Sequence, residues 1–327
     1  MKKTHVVIAV VAVVFFTLVI AHMRLPSMMQ QLKAIRLALP IVLALSTLRL
    51  YLQSLTWSAS LKGQDISVHN TTLAAVRLAS QSMGYLTVLG PVISEPMKIK
   101  LLGTSADRTI TATFLDNGVY WFTSALIAIT GVVSLPFVAA HGASFHSIPP
   151  ILVLALTVFV TTRRNPVLSG VLRAFGERAP SWLVRAGKSE ASIRSFRREH
   201  PALVSKMFWI DIGCQSLIAS EVLVVLWALH LPMHFFVVLA IEGVTRALKL
   251  VSGWIPARLG SDEGGAISAF AMAGFLPTLG LALALTRRVR DLLWALIGIV
   301  WLAWNSRAVS KQTEQTASFP TVIKEIL

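Results

Sequence analysis

The chain carries few charged residues, and few of those are acidic. Charged residues fill 14% of its 327 positions, with 15 Asp and Glu against 30 Lys and Arg, while 55% of the positions are hydrophobic. Soluble globular domains carry about 25% charged residues, so this composition excludes an ordinary water-soluble enzyme and predicts a polytopic membrane protein. The basic excess at so low a total of charges indicates membrane orientation and anionic lipid, and we expect no nucleic-acid partner.

The sequence also lacks the residues that disulfide, metal and nucleotide chemistry require. Cys214 is the single cysteine, which excludes an intramolecular disulfide and a zinc site with several cysteines. Pro232 interrupts the turn that would align the two nearest histidines, and no acid beside them completes a ligand set. A phosphate loop ending at Lys188 would need glycine where Trp182 stands. We therefore expect no metal, no nucleotide, no cofactor and no enzymatic activity.

Long hydrophobic runs, by contrast, are abundant. A bilayer core of about 30 Å needs about 20 mostly apolar residues per helix. Eight segments meet or approach that length, at residues 6–21, 37–55, 119–140, 149–160, 208–229, 235–251, 266–285 and 292–304. A weaker ninth segment, 72–93, is interrupted by Gly, Ser and Pro. The sequence therefore predicts an all-α integral membrane bundle of about eight helices with Pro/Gly-broken, re-entrant segments.

Basic residues predict the orientation of this bundle. The loop 163–206 holds ten Lys and Arg against three Glu, and such loops stay cytoplasmic. With a cytoplasmic N-terminus, the parity of crossings requires the segment 72–93 to be re-entrant, and it leaves the side of the C-terminus open. We expect one transmembrane domain in the bacterial cytoplasmic membrane, with halves 1–162 and 207–327. An apolar face at 167–175 predicts an interfacial helix on anionic lipid, although the loop's charges could serve topology alone.

Two distant stretches share a pattern that predicts two loosely repeated halves. Each begins with a Pro/Gly break that leads to a carboxylate, at residues 90–96 and 255–265. The first stretch reaches Gly103 and then Asp116 thirteen residues later, and the second reaches Gly274 and then Arg287 at the same interval. We expect Asp116 and Arg287 at the mouths of apolar helices. Broken segments at matching places in two halves of a chain indicate a transporter's binding site.

Ionisable residues inside apolar segments are costly and usually face the bundle interior. Glu242, Arg246 and Lys249 form one helical stripe, and Asp211 and Glu221 share a face of the preceding helix. One interpretation is a polar cavity for a lipid headgroup. The other is a set of buried ion pairs that lock helices together, and partner charges alone do not separate the two.

The stretch 254–265, followed by Gly274, the basic run 287–290 and Gly298, resembles the signature of the lysylphosphatidylglycerol synthase transmembrane region, or flippase-like family. Members typically show Pro, a glycine-rich turn, Glu, a later Gly and a basic pair opening the last helix. An early-helix arginine, Arg49, and the loop that contains Glu95 and Lys98 are also similar to the family. Glu242 and Arg246 look most like the hopanoid-associated branch. The chain departs from the family at Ala257 and Arg258, where glycine is common.

The resemblance implies a membrane module that moves a lipid between leaflets, without the aminoacyltransferase domain of the bifunctional synthases. We expect a polar or anionic membrane lipid as substrate. The alternative is a non-transporting accessory protein that organises hopanoid or phospholipid synthesis enzymes. A lipid-modifying enzyme ranks last, because no nucleophile–base pair is recognisable.

The candidate site residues fall into two sets. The residues expected to bind the headgroup are Glu95, Lys98, Arg246, Arg258, Glu263, Arg287 and Arg288. The residues expected to form a buried polar pathway are Arg49, Asp116, Asp211, Glu221, Glu242 and Lys249. Glu95, Glu263, Asp211 and Glu221 are the candidates for carrying protons. Arg49 and Arg77 are weaker cases, since a long side chain near a segment end can snorkel to the interface.

Overall fold

The computed structural model describes residues 35–87, 91–141, 195–196, 198–251 and 261–315. These residues form eight principal α-helices and contain no strand. The helices are α1 Ala38–Lys62, α2 Asn70–Leu86, α3 Pro91–Leu102, α4 Ala106–His141, α5 Pro201–Ala228, α6 Phe235–Val251, α7 Ser261–Met272 and α8 Pro277–Gln315. The expected segments 6–21 and 149–160, the interfacial helix 167–175 and Arg258 lie outside the described residues.

Three of the described helices are long and apolar enough to cross a membrane. They are Ala38–Lys62, Asp107–Leu135 within α4, and Pro201–Ala228. Proline begins α3, α5 and α8, where its fixed φ suits a first helical turn whose N–H has no intrahelical partner. The short helices α3 and α7 have 12 residues each and are about 18 Å long, which is too short to cross a bilayer alone.

The described helices form two sets of four with matching order. Helices α1 to α4 have 25, 17, 12 and 36 residues, and α5 to α8 have 28, 17, 12 and 39. The packing follows the same order, because α2 contacts the last helix of the other set, α8, and α6 contacts α4. Helices α1 and α5, the first of each set, pack against each other. The two sets are therefore related by an approximate two-fold repeat.

The two sets run in opposite directions. Cys214 Sγ of α5 lies 3.9 Å from the Arg49 carbonyl oxygen near the middle of α1. The start of α1, at Ala38, shares a core cluster with the end of α5, at Val225. Ala59, near the end of α1, packs with Met207, near the start of α5. Helices α1 and α5 are therefore antiparallel, and the repeat is an inverted one.

Each set contains a helical hairpin, and the two hairpins enter from opposite ends of the bundle. Leu73 at the start of α2 and Leu102 at the end of α3 share a core cluster with Leu61 at the end of α1. In the second set, Val237 at the start of α6 and Ala273 just after α7 share the cluster that holds the start of α1. The open ends of the two hairpins therefore lie at opposite ends of the bundle.

Two glycines end the short helices in the same way. Gly103, after α3, has φ 64°, and Gly274, after α7, has φ 83°. Glycine adopts this left-handed conformation without the steric cost that a Cβ brings. Each glycine therefore ends a 12-residue helix and lets the chain turn into the long helix that follows.

The structure corrects two segments drawn from hydropathy and the expected positions of two charged residues. The segment 266–285 is not one helix, because the chain breaks around Gly274 between α7 and α8. The segment 292–304 is not a separate helix either, since α8 continues from Pro277 through the charged residues before it. Asp116 and Arg287 accordingly lie eleven positions into α4 and α8, not at helix mouths. Charges can stay inside these helices because buried partners neutralise them.

Candidate functional site

A cavity of about 510 Å³ lies where the two sets of helices meet. Its lining comes from all described helices except α7 and includes seven basic and five acidic side chains. The basic residues are Arg49, Arg77, Lys98, Arg246, Lys249, Arg287 and Arg290. The acidic residues are Glu95, Asp116, Asp211, Glu242 and Asp291. So many charges converging on one space at the repeat boundary make it the candidate site.

The first ion pair of the cavity joins α2 to α4. Arg77 binds Asp116, and both side chains are about 5% exposed. Thr56 of α1 donates a hydrogen bond of 2.7 Å to the same carboxylate, and the Arg77 guanidinium lies 5.7 Å from the centre of the Trp57 ring. Arg77 therefore does not reach outward as a side chain near a segment end can, because a buried carboxylate and an aromatic ring hold it inside the bundle.

The second ion pair occupies the matching place in the other set, with its charges exchanged. Glu242 accepts hydrogen bonds from Arg287 of α8 at 2.5 Å and from Arg246 at 2.6 Å. Arg77 and Glu242 are each the eighth residue of their helices, α2 and α6. Asp116 and Arg287 are each the eleventh residue of α4 and α8. In the first set, a base on α2 therefore binds an acid on α4. In the second set, an acid on α6 binds a base on α8.

A further acidic residue of α5 extends this network along α8. Glu221, 1% exposed, binds Arg290 and lies 3.5 Å from Arg287. Asp291 Oδ1 also contacts Arg290, at 2.8 Å. Glu221 is not in the cavity lining, but it neutralises two arginines that are. The face that Asp211 and Glu221 share on α5 is buried, as the sequence predicts.

Three more ion pairs lie farther from this network. Lys98 Nζ is 2.8 Å from Glu95 Oε1, and Asn117 donates to the other oxygen of Glu95 at 2.9 Å. Lys249 is 3.8 Å from Asp262, and Arg288 is 2.7 Å from Glu263. Glu95 and Lys98 line the cavity, whereas Glu263 and Arg288 are not among its lining residues.

Asp211 differs from the other carboxylates because no basic side chain of the described residues lies within 4.0 Å of it. It is 2% exposed. It accepts hydrogen bonds from the Thr123 hydroxyl and from Gln215 Nε2, the latter at 3.2 Å. The Gln215 amide oxygen in turn accepts from Arg246. Asp211 is therefore connected to the ion-pair network only through a neutral amide.

The charged stripe of α6 shows both features that the sequence left as alternatives. Lys249 and Glu242 form ion pairs with α7 and α8, Arg246 pairs with Glu242 within the helix, and all three residues also line the cavity. Sequence reasoning missed the contributions of Arg77, Gln215 and Arg290. A signal for Arg77 existed in the matching eighth positions of α2 and α6, but it appears only once the helix boundaries are known.

Neither metal ligation nor similarity to known proteins identifies the site. Over the described ranges, no group of three or more His, Cys, Asp and Glu side chains is arranged to hold a metal ion. The chain matches none of the protein-family models, curated proteins or solved structures with which it was compared. The resemblance to the flippase-like family therefore stays an expectation from sequence motifs, and the geometry of the cavity has to carry the functional argument.

Proposed function

We propose that this protein is a polytopic membrane protein that moves a polar or anionic lipid between the two leaflets of a bacterial cytoplasmic membrane. The observation that carries the proposal is the charged cavity between two inverted sets of helices. Secondary transporters built from inverted repeats bind their substrates near the bilayer midplane, where the repeats meet. A cavity rich in charge suits a headgroup, which needs polar partners for as long as it is inside the hydrocarbon layer.

The distribution of apolar and charged side chains supports a lipid environment. Large apolar side chains are exposed on several helices, with Trp209 at 67%, Phe235 at 66% and Leu296 at 57%. Within the described part of the chain, ten charged side chains are buried. Water favours the opposite arrangement, because exposed apolar area is unfavourable and buried charge is expensive there. In a bilayer, lipid chains surround the apolar exterior, and the buried charges are neutralised by one another in ion pairs.

The two hairpins supply a means of alternating access. They enter from opposite ends, and helices of both hairpins line the cavity, so that movement of one hairpin would open the cavity to one leaflet only. Alternation between the two openings, with the headgroup in the cavity and the acyl chains in the bilayer, would carry a lipid across.

Asp211 is the best candidate for coupling this movement to protons. A buried carboxylate without a cation can become neutral by taking up a proton, whereas the other carboxylates in the lining are bound by bases. The charged groups on the elements around it are Arg49 of α1, Asp116 of α4, Glu242 and Arg246 of α6, and Arg287 and Arg290 of α8. Among these groups, Arg246 is linked to Asp211 through Gln215.

The test is lipid exchange in liposomes reconstituted with the purified chain and lipids labelled on different headgroups. Gln81 lines the cavity from α2 and is exposed, so Gln81→Trp fills the cavity without removing a charge. We expect that variant to slow exchange about tenfold or more. Thr72→Trp is the matched control, because Thr72 is exposed on the same helix outside the cavity.

The result for wild-type protein decides between this proposal and the accessory role. Exchange no faster than in empty liposomes, from wild-type protein that is shown to be folded, would leave the organisation of lipid-synthesis enzymes as the better hypothesis. A separate measurement tests the coupling to protons. If exchange occurs, the substitution Asp211→Asn should make the rate of lipid exchange insensitive to an imposed pH gradient. The control is Asp107→Asn, which changes an exposed residue of α4. A response to the gradient that persists in Asp211→Asn would remove Asp211 from the coupling.

A further inference from the structure

Among the described residues that line the cavity, Arg49 is the one base that forms no ion pair with a carboxylate. Each of the other six bases in the lining has a carboxylate oxygen within 4.0 Å. The Arg49 guanidinium has neither an ion pair nor a hydrogen bond to the residues that the structure describes, and its Nε is buried without a partner. A guanidinium without an ion pair in a low-dielectric interior is costly, so this position favours a bound anion.

Neutral hydrogen-bond donors lie beside Arg49. Gln53 follows it by one helical turn on α1, lines the same cavity and is 9% exposed. Its side-chain amide has no hydrogen bond within the described ranges. Tyr120 of α4 also lines the cavity. A guanidinium, an amide and a phenol together match an oxyanion with several acceptor oxygens, such as a phosphate.

Asp211, the lining's unmatched carboxylate, does not occupy this position. It accepts its hydrogen bonds from Thr123 and Gln215, and it forms no ion pair with Arg49. The donors of Arg49 and Gln53 are therefore left for a ligand.

The two faces of α1 indicate where the rest of the ligand would lie. The polar residues that α1 contributes to the cavity are Ser46, Arg49, Gln53 and Thr56. On its outer face Ile41, Leu48 and Tyr51 are 40%, 48% and 46% exposed. Helix α1 is thus a wall with a polar stripe toward the cavity and apolar side chains outward. An amphiphile could keep its anionic group at Arg49 and its acyl chains against the outer face.

We propose that Arg49 and Gln53 bind the phosphate of an anionic phospholipid headgroup inside the cavity. This site rests on the proposed function and names its substrate class. It requires a ligand with a net negative charge, because the other cavity bases are already paired within the chain. A headgroup that also carries an ammonium group would bring an additional positive charge into the cavity. Among the described lining residues, Asp211 is the one carboxylate that is not already bound to a base.

The test is binding of soluble short-chain lipids to the full purified chain in detergent, measured as a concentration-dependent rise in melting temperature. Dihexanoyl phosphatidylglycerol should bind, whereas dihexanoyl phosphatidylcholine and inorganic phosphate should each bind about tenfold more weakly or not at all. Equal binding of the choline lipid would overturn the requirement for net charge. Equal binding of inorganic phosphate would overturn the assignment to a lipid.

Three variants locate the site on α1. Arg49→Gln should weaken binding of the glycerol lipid about tenfold, and Gln53→Leu about threefold, in keeping with the loss of a charged and a neutral hydrogen bond. Arg49→Lys should keep part of the affinity. Arg36→Gln removes an exposed positive charge just before α1 and should leave binding unchanged. Wild-type affinity in Arg49→Gln would overturn the site.

A role in folding predicts a different result for the ligand-free protein. Arg49→Gln breaks no ion pair, so its melting temperature without lipid should equal or exceed that of wild type. A lower melting temperature would show that Arg49 stabilises the fold instead of waiting for a ligand. The outcome is also separable from transport, since binding without lipid exchange would refute the transport proposal alone. Undiminished exchange in Arg49→Gln would refute the site alone.

Discussion

At the scale of single residues, a buried ion pair in one half of this protein has its acid and base interchanged relative to the ion pair at the matching positions of the other half. Arg77 and Asp116 bind each other in the first set of helices, and Glu242 and Arg287 do so at the same helix positions in the second. Each pair joins the second helix of a set to its fourth. Each pair therefore requires opposite charges on the two helices, and either helix can carry the acid.

This exchange predicts that the first pair can be inverted. Arg77→Glu alone places two acids together in a buried site, and we expect a loss of about 3–5 kcal/mol in the free energy of unfolding. Adding Asp116→Arg should recover most of that loss, because the pair then has the charge order of Glu242 and Arg287. The measurement is SDS-induced unfolding in mixed micelles.

The control for the inversion is Arg36→Glu, a charge reversal at an exposed residue, which should change the free energy of unfolding by less than about 0.5 kcal/mol. A double variant that is no more stable than Arg77→Glu would contradict the equivalence of the two pairs. The recovery need not be complete, since Thr56 donates a hydrogen bond to Asp116 that an arginine cannot accept.

At the scale of elements, small residues let α4 and α6 approach closely. A Cβ at Gly131 would lie 2.6 Å from Gly243 Cα, and a Cβ at Gly243 would lie 2.9 Å from the Ala128 carbonyl oxygen. Both distances are below normal contact, so the two backbones touch where these glycines face each other. Without a strong hydrophobic drive between helices in lipid, such backbone contact is a main source of helix association.

The contact predicts that Gly131→Ala destabilises the protein although alanine is the better helix former. We expect a loss of about 1–3 kcal/mol, because neither backbone can move aside without disturbing the helices around the cavity. Gly118 is the matched control on the same helix, since a Cβ there has nothing within 4 Å. Gly118→Ala should be neutral or stabilising by up to about 1 kcal/mol. Equal effects of the two substitutions on detergent-resistant folding would contradict the close packing.

At the scale of the whole molecule, the inverted repeat determines which loops lie on the same side. Helices α1 and α5 are antiparallel, so the loop after α1 and the loop after α5 lie at opposite ends of the bundle. Helix α8 runs toward the end of α1, because Trp301, in its second half, packs against the cluster that contains Leu61. If α1 ends in the cytoplasm, as the basic loop predicts, α8 ends there too. The parity of crossings alone left that point open.

This arrangement predicts opposite labelling of two single cysteines. Ser67 follows α1 and Met233 follows α5, and both are exposed. In a Cys214→Ser background, a membrane-impermeant maleimide applied to intact cells should label Met233→Cys and leave Ser67→Cys unlabelled until the membrane is opened. Cys214 is buried, so wild-type protein serves as the unlabelled control. Labelling of both positions from one side would contradict the inverted repeat.

The sequence by itself determined the class of the protein and many of the charged residues that matter. Composition and run length predicted helices, and α6 has the bounds that its apolar run indicated, Phe235–Val251. The spacing from Gly103 to Asp116 and from Gly274 to Arg287 also survives in the structure, as the same turn followed by the same helix position. These features could be predicted because hydropathy and backbone conformation are local properties of the chain.

Tertiary structure decided which charges are neutralised and which are left. Hydropathy ended a segment before Arg287, yet α8 continues through it because Glu242 and Glu221 supply the missing charge from other helices. The sequence placed Arg49 in the buried pathway and offered snorkelling as an alternative for both Arg49 and Arg77. Only the tertiary structure brings Asp116 of α4 to Arg77 and leaves Arg49 without an ion pair among the described residues. Pairing across helices depends on three-dimensional distance, which spacing along the chain does not contain.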